Sequence, residues 1–257
     1  MTDVFYEAVK DVSGGIYAEI QNGYSGKYHF HRAFEIAYIF EGSTQYIVED
    51  EIYPAEAHHI VFIHRYYRHR ASFDAPMRKY VIAVPENFSH DVSKLLSCST
   101  LPTLMTDIEF NKSIRPYFEA LINADKKTPD IIVKGYISLI FGLLSEHYKS
   151  DSIVPKNKNT SIIIDILTYI DEHCEESISL NDIAKEFGYN KSYFSRLFNH
   201  YVGTSLNNYI NFVRLNRFEA LCQSNENENI TDLAFKSGFK SLATFYRVRD
   251  IRKRQRR

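Results

Sequence analysis

The sequence predicts an α+β protein in two parts. The N-terminal half is expected to be a small β-barrel followed by a helical hairpin, and the C-terminal part to be all-α with a helix-turn-helix occurring twice. Three observations predict this. Residues 16–84 hold short apolar and β-branched runs punctuated by Gly, Pro, Asn and Ser. From 107 to 149 the apolar residues recur at three- and four-residue steps, the period of a helix. After residue 179 a ten-residue pattern appears twice, about 50 residues apart. With 257 residues, 44% hydrophobic and 25% charged, the chain has an ordinary globular composition and room for two domains.

The expected strands are Ile16–Ile20, Lys27–His31, Phe34–Phe40, Thr44–Val48, Ile60–Ile63 and Lys79–Val84. Several short strands with turn signals between them suggest a sandwich or barrel. In the hairpin, Ile114, Phe118, Leu121 and Ile122 make one stripe and Val133, Ile137, Ile140 and Leu144 the other, with a turn from Asp125 to Pro129. Such a hairpin can cover the barrel and also form a dimer interface; the two roles are compatible. Lys149 to Thr160 is polar, contains Pro155 and has no apolar period, which reads as a linker. The expected boundaries are 1–105 for the barrel, 106–150 for the hairpin, 151–160 for the linker and 161–257 for the C-terminal part, with its motifs at 180–200 and 230–250.

The repeat is the most specific signal. Leu180-Asn181-Asp182-Ile183-Ala184-Lys185-Glu186-Phe187-Gly188-Tyr189 and Ile230-Thr231-Asp232-Leu233-Ala234-Phe235-Lys236-Ser237-Gly238-Phe239 share one form: apolar, any, Asp, apolar, Ala, three of any kind, Gly, aromatic. Ser179 and Asn229 are good N-caps. Ala184 and Ala234 are small enough for a second helix to cross closely, and Gly188 and Gly238 suit the left-handed conformation that ends a helix. A second helix follows each copy, giving two helix-turn-helix motifs. Phe194, Leu197 and Phe198 form the inner stripe of the first such helix, and Ser192, Ser195, Arg196 and Asn199 the outer one. In the second copy Phe245 and Val248 point inward while Leu242, Ala243, Tyr246 and Arg247 point outward. An outward Arg can pair bidentately with guanine or with phosphate, and small polar neighbours let the helix approach the major-groove floor. The spacer helix, Leu206–Cys222, can hold the two recognition helices about 34 Å apart, one turn of DNA.

Net charge is −1, which argues against a uniformly basic nucleic-acid coat. Divided at the linker it is uneven: residues 1–159 carry 17 Lys+Arg against 20 Asp+Glu, and residues 160–257 carry 14 against 12. DNA affinity is therefore expected to come from a few placed contacts. Cys98, Cys174 and Cys222 lack metal-finger spacing and are expected to be small buried or half-buried side chains in a reducing interior. The acidic N-terminus does not resemble a signal peptide, and no apolar run approaches the ~18 residues of a membrane span. A cytoplasmic protein with no membrane partner is expected.

The stretch Ile183-Ala184, Gly188 to Phe198, Gly203-Thr204-Ser205, Tyr209 and Arg214-Leu215 resembles the first helix-turn-helix and linker helix of the AraC/XylS family of bacterial transcription regulators. Ile230, Leu233-Ala234, Gly238-Phe239 and Phe245-Tyr246-Arg247-Val248 resemble the second. The resemblance covers residues 161–250. It implies a sequence-specific regulator of double-stranded DNA, not an enzyme, active as a homodimer and controlled by a small effector in the N-terminal barrel. An activator would also meet RNA polymerase. The family's base-facing positions fall on Ser192, Ser195 and Arg196, and on Leu242, Ala243, Tyr246 and Arg247. The chain departs from the family at Arg249, where a Phe is usual. It then runs Asp250-Ile251-Arg252-Lys253-Arg254-Gln255-Arg256-Arg257 where a Gly-x-Ser-Pro stretch and a last helix are usual. The second recognition helix is thus expected to lack its packing partner.

In the N-terminal half, Gly23, His29, His31, Glu35 and Gly42 fit the spacing of the first cupin motif. If the chain from His29 to Ile39 is extended, His29, His31 and Glu35 share one face, and a histidine from a later strand, His69, can complete a divalent-metal set. Six of the ten histidines lie between 29 and 69. Three readings stay open: a metal site at His29, His31, Glu35 and His69; an effector pocket formed by these with Tyr38 and Tyr80; or histidines without a site. No cofactor is expected on the regulator reading. The rival readings are a metal-dependent cupin enzyme and a regulator that needs no effector.

Overall fold

The computed structural model describes residues 5–7, 10, 15–23, 26–72, 76–85, 88, 90–98, 101–125, 127–148, 158–224 and 228–255. They form two compact units, one of residues 15–156 and one joining 1–14 to 157–257. The first fourteen residues, expected with the barrel, group with the C-terminal part, and β1 (Phe5–Tyr6) falls there.

The unit of residues 15–156 is built on two facing antiparallel sheets. One has the order β10-β7-β4-β9-β2, from β10 (Leu104–Met105), β7 (Ile60–Ile63), β4 (Phe34–Glu41), β9 (Arg78–Val84) and β2 (Tyr17–Asn22). In the other, β3 (His29–Phe30) pairs β8 (His69–Ser72), β8 pairs β5 (Ser43–Val48), and β5 pairs β6 (Glu51–Glu56). β4 has a neighbour on each side, and its first six residues are all buried, so apart from Glu35 its buried run is apolar on both faces.

Parity decides what each face of β4 meets. Glu35, Ala37 and Ile39 share the face toward the second sheet with Val61, Ile63, Lys79, Val81 and Ala83. Phe34, Ile36 and Tyr38 point the other way, into the main core with Phe62, Tyr80 and Ile82. Two helices close that core, α2 (Ile108–Ile122) and α3 (Asp130–His147), after a short α1 (His90–Cys98) that the sequence did not announce. Ile114, Phe118 and Leu121 of α2 and Ile137, Ile140, Phe141 and Leu144 of α3 are at most 2% exposed. Each contributes about 1.5–3 kcal/mol of burial, so covering the sheet is an established role of the hairpin.

β6 was also unexpected. Its turn from β5 uses Glu49 and Asp50, both at positive φ (48° and 72°), a primed turn without the glycine or asparagine that normally signals one. Pro54 within it is tolerated because β6 is an edge strand.

The second unit contains α4 (Lys158–His173), α5 (Leu180–Glu186), α6 (Lys191–Val202), α7 (Leu206–Ser224), α8 (Ile230–Lys236) and α9 (Leu242–Gln255). Residues 151–157 of the expected linker lie outside the described residues, and α4 begins within its last residues. Ser179 caps α5 in a full capping box with Asp182, and Asn229 caps α8 by accepting from the Thr231 N–H. Both copies then end alike. Gly188 (φ 72°) donates to Lys185 O and Tyr189 to Ala184 O; Gly238 (φ 97°) donates to Phe235 O and Phe239 to Ala234 O. These are paired Schellman closures. Arg214 on α7 is buried and donates to Cys174 O (2.7 Å) and Glu176 O (2.9 Å), fixing the end of α4 to the spacer helix.

The end of α9 differs from expectation. Arg252 is 2% exposed; its guanidinium donates to Asn216 Oδ1 and stands 3.6 Å from Glu219, so it ties α9 to α7. Tyr6 packs edge-on against Tyr209, and its hydroxyl accepts from Asn216. The buried Arg252 supplies the packing that the sequence seemed to lack. Cys174 is buried and Cys222 half-buried; the Cys98 side chain lies outside the described residues.

Candidate functional site

Two constellations carry chemistry. The first is the outer surface of α6 and α9. Asn190 caps α6 by accepting from the Tyr193 N–H (2.8 Å), while Phe194 and Phe198 are fully buried. That orientation leaves Ser192, Arg196 and Asn199 exposed and Ser195 half-buried. In the second copy Phe245 is fully buried and Val248 5% exposed, so Ala243, Tyr246 and Arg247 face outward. Leu242, expected on the outer face, is half-buried and packs against the Leu215, Phe218 and Phe245 cluster. Leu197, expected inside, is half-buried too. Residue reasoning did not single out Lys191, exposed in the first turn of α6, or Arg249 as a partner of Tyr246. The Arg249 guanidinium lies 4.7 Å from the Tyr246 ring centroid and 5.2 Å from that of Phe245. This cation–π contact orients an outward aromatic ring. The i, i+3 spacing of the two residues was its only sequence signal.

The second constellation lies between the two sheets. His29 and His69 stand opposite each other on β3 and β8. The chain does not run extended from His29 as the parity argument assumed, because it bends at Arg32 and Ala33. His31 still joins the group, since its Nδ1 donates to Ala33 O (2.9 Å) and closes the bend. Its Nε2 is 3.1 Å from Glu35 Oε2, and His69 Nε2 is 3.7 Å from the same oxygen. His29, His31, Glu35 and His69 each present one ligand atom, all within 4.8 Å of one another. Further along the interior, Lys79 donates to the Tyr46 hydroxyl at 2.6 Å, both side chains being buried. Burial, then the negative charge of Glu35, holds the Tyr46 phenol well above its ordinary pKa. From sequence Tyr46 is one of several tyrosines that could line a pocket, and its pairing with Lys79 was missed, although a lysine within a strand run was its signal.

Tyr38 and Tyr80 do not join the histidines. Each lies an odd number of positions from an inward residue, Tyr38 from Glu35 and Tyr80 from Lys79, so both point into the helix-covered core. Tyr38 contacts His58 Nδ1 (3.0 Å), and burial pushes its pKa up to about 12; Tyr80 donates to Glu119 (3.0 Å). The remaining histidines of this stretch are also elsewhere. His58 serves that contact, His59 accepts from the Glu56 N–H, and His64 stands edge-on to Phe62. Arg68 pairs with Glu49 and Asp50.

Comparison with known proteins bears on both constellations. A profile of the AraC-like ligand binding domain matches residues 13–134, and one of a helix-turn-helix domain matches residues 183–251. The chain belongs to the AraC family. The Tn10 TetD protein of Escherichia coli is 34% identical over 89 residues, which are 35% of this chain and 64% of that protein. An uncharacterized HTH-type transcriptional regulator of Staphylococcus aureus strain COL is 25% identical over 118 residues, 46% of this chain and 15% of that one. The chain thus spans less than two thirds of the length of these relatives. Among solved structures, ToxT from Vibrio cholerae aligns over 91% of this chain and 93% of its own at 16% identity, with a TM-score of 0.44. The AraC-like activator CuxR aligns over 87% and 82% at 13% identity, also at 0.44. The match to the AraC-like ligand binding domain includes the histidine cluster, and the match to the helix-turn-helix domain includes α6 and most of α9. Among the described residues no helix is long and apolar enough to cross a membrane.

Proposed function

We propose that this AraC-family chain is a sequence-specific, DNA-binding transcription regulator working in the cytoplasm, with its signal received in the two-sheet unit. The observation that carries this reading is the duplicated helix-turn-helix, closed alike in both copies, with Arg196 and Arg247 outward on the second helices. Two such helices held by one spacer suit successive major grooves of double-stranded DNA. An activating role would add RNA polymerase as a partner. Arg196→Ala is expected to weaken specific binding by about 1–3 kcal/mol and relax the preference at one base, leaving the fold intact. Genomic pull-down with the intact chain supplies the fragments, and an anisotropy titration measures the loss; unchanged affinity would remove Arg196 from the reading face.

A homodimer formed through α3 fits the same reading. The face of α3 away from the core exposes Ile131 (78%), Ile132 (45%) and Leu139 (46%) beside Gly135 and Gly142, whose positions have open space. Such an apolar stripe is self-complementary across a two-fold axis. Leu139→Arg is expected to raise the dimer dissociation constant at least about tenfold, a difference of ~1.4 kcal/mol. Sedimentation equilibrium reads it, and an unchanged dimer would place the interface elsewhere.

A further inference from the structure

We infer that His29, His31, Glu35 and His69 bind a first-row divalent transition-metal ion, and that this ion is the signal to which the regulator responds. The inference rests on the regulator reading above and names the chemistry of its signal site.

The tautomers are fixed by the backbone. His29 Nδ1 lies 3.0 Å from Lys27 O, His31 Nδ1 2.9 Å from Ala33 O, and His69 Nδ1 2.9 Å from Tyr67 O. A carbonyl oxygen only accepts, so Nδ1 keeps its proton in each ring and Nε2 is the atom left to ligate an ion, which at His31 would replace the contact with Glu35. Holding the remote ring nitrogen on a carbonyl is how proteins orient metal-binding imidazoles. The group is compact as well. Ligand atoms sharing an ion at about 2.0–2.2 Å stand about 3.3–3.6 Å apart in a tetrahedral site and at most about 4.4 Å when opposite each other, so a group whose ligand atoms lie within 4.8 Å of one another closes on an ion with shifts of about an ångström. Three imidazoles and one carboxylate suit zinc, nickel, iron(II) or manganese(II) better than the all-oxygen preference of calcium or magnesium.

The surroundings enclose the site on one side. His31, Glu35 and His69 are 1–2% exposed, and half-buried His29 lies on the open side, which gives an entry path. Ala37, Ile39, Val61, Ile63, Val81 and Ala83, which line the same face as Glu35, are all 0% exposed. They close that wall to water, so an ion bound beside it would be held by the four side chains rather than by solvent. The four ligands come from β3, the bend after it, β4 and β8, so one ion ties strands of both sheets together. It becomes a signal if the DNA-competent arrangement binds it with a different affinity from the other.

The test uses the full chain, stripped with chelator and then titrated with Zn²⁺, Ni²⁺ and Mn²⁺, with Mg²⁺ and Ca²⁺ for comparison. One equivalent of a transition ion and a raised thermal midpoint are expected. His69→Gln and Glu35→Gln, shape-conserving changes whose folding is checked by circular dichroism, should each lower affinity at least about tenfold. A folded wild-type chain that binds none of the three ions, or binds them equally well in both variants, overturns the site. The DNA affinity of loaded and chelated protein is then compared on fragments from the genomic pull-down, and a change of at least about fivefold is expected. One bound equivalent with unchanged DNA affinity overturns the signalling role. Failure of either form to enrich DNA overturns the regulator reading, while the titration still decides the ion site.

Discussion

Gly238→Ala is expected to destabilise the C-terminal unit by about 2–5 kcal/mol, whereas Gly188→Ala at the matching position of the first motif should cost only about 1–2 kcal/mol. Both glycines are left-handed, with φ of 97° and 72°, so each alanine meets the same kind of backbone strain. What differs is the space. A Cβ on Gly188 meets nothing within 4 Å. One on Gly238 would lie 2.5 Å from Cys174 O, 2.7 Å from the Cα of Glu175 and 2.9 Å from Arg214 Nε. Two of these are backbone, and the third belongs to a guanidinium already committed to Cys174 O and Glu176 O. Nothing there moves cheaply, so the overpacking cost adds to the strain. Domains are stable by only about 5–15 kcal/mol, so the variant should lose DNA binding on warming well before the wild type. Urea denaturation of the two variants side by side checks this; equal midpoints would mean that the α4–α7 junction yields more readily than its hydrogen bonds imply.

The same pair of motifs shows what the sequence could and could not reveal. Caps, small crossing residues and left-handed glycines act within a few residues, so the helix-turn-helix pattern was legible position by position. The contrast between Gly188 and Gly238 was not, because two of the three atoms facing Gly238 belong to Cys174 and Glu175 just after α4, more than sixty positions away, and the third to Arg214 on α7. The barrel followed the same rule. His29, His31 and Glu35 were found by parity even though the chain bends between them, because the bond from His31 Nδ1 to Ala33 O restores the direction that an extended strand would have given. Parity carried one step further would have sent Tyr38 to the opposite face, since it lies three positions from Glu35. Strand β6 escaped notice because Glu49 and Asp50 make a left-handed turn with ordinary residues. Arg252 was given no packing role, because a charge run in sequence does not say which of its members folds back onto another helix.

Asn111→Leu is expected to cost the two-sheet unit about 3–5 kcal/mol, as it removes three hydrogen bonds at about 1–3 kcal/mol each, partly offset by apolar burial. Asn111 sits fully buried on α2 where the helical hairpin meets the sheet. Its amide donates to His58 O (2.8 Å) and Met105 O (3.1 Å), and its carbonyl accepts from the Tyr148 hydroxyl (2.9 Å). Tyr148 in turn accepts from the Asp107 N–H, and Asp107 pairs with His147. His58 is held at a φ of 70°, with its ring meeting the Tyr38 hydroxyl, so the amide also secures a turn that a non-glycine residue adopts at some cost. Asn111→Asp separates shape from hydrogen bonding. It keeps an acceptor for Tyr148 but turns a carboxyl toward two carbonyl oxygens, which raises the folded-state pKa of that carboxyl above its unfolded value of about 3.9. A raised folded pKa means stability that is present below the unfolded value and lost as pH rises through the folded one. Measured against wild type at each pH, Asn111→Asp should be nearly neutral at about pH 4 and increasingly destabilised toward neutrality, while the Asn111→Leu deficit stays flat. Parallel pH profiles for the two variants would show that volume, rather than the donated amide, holds the hairpin to the sheet.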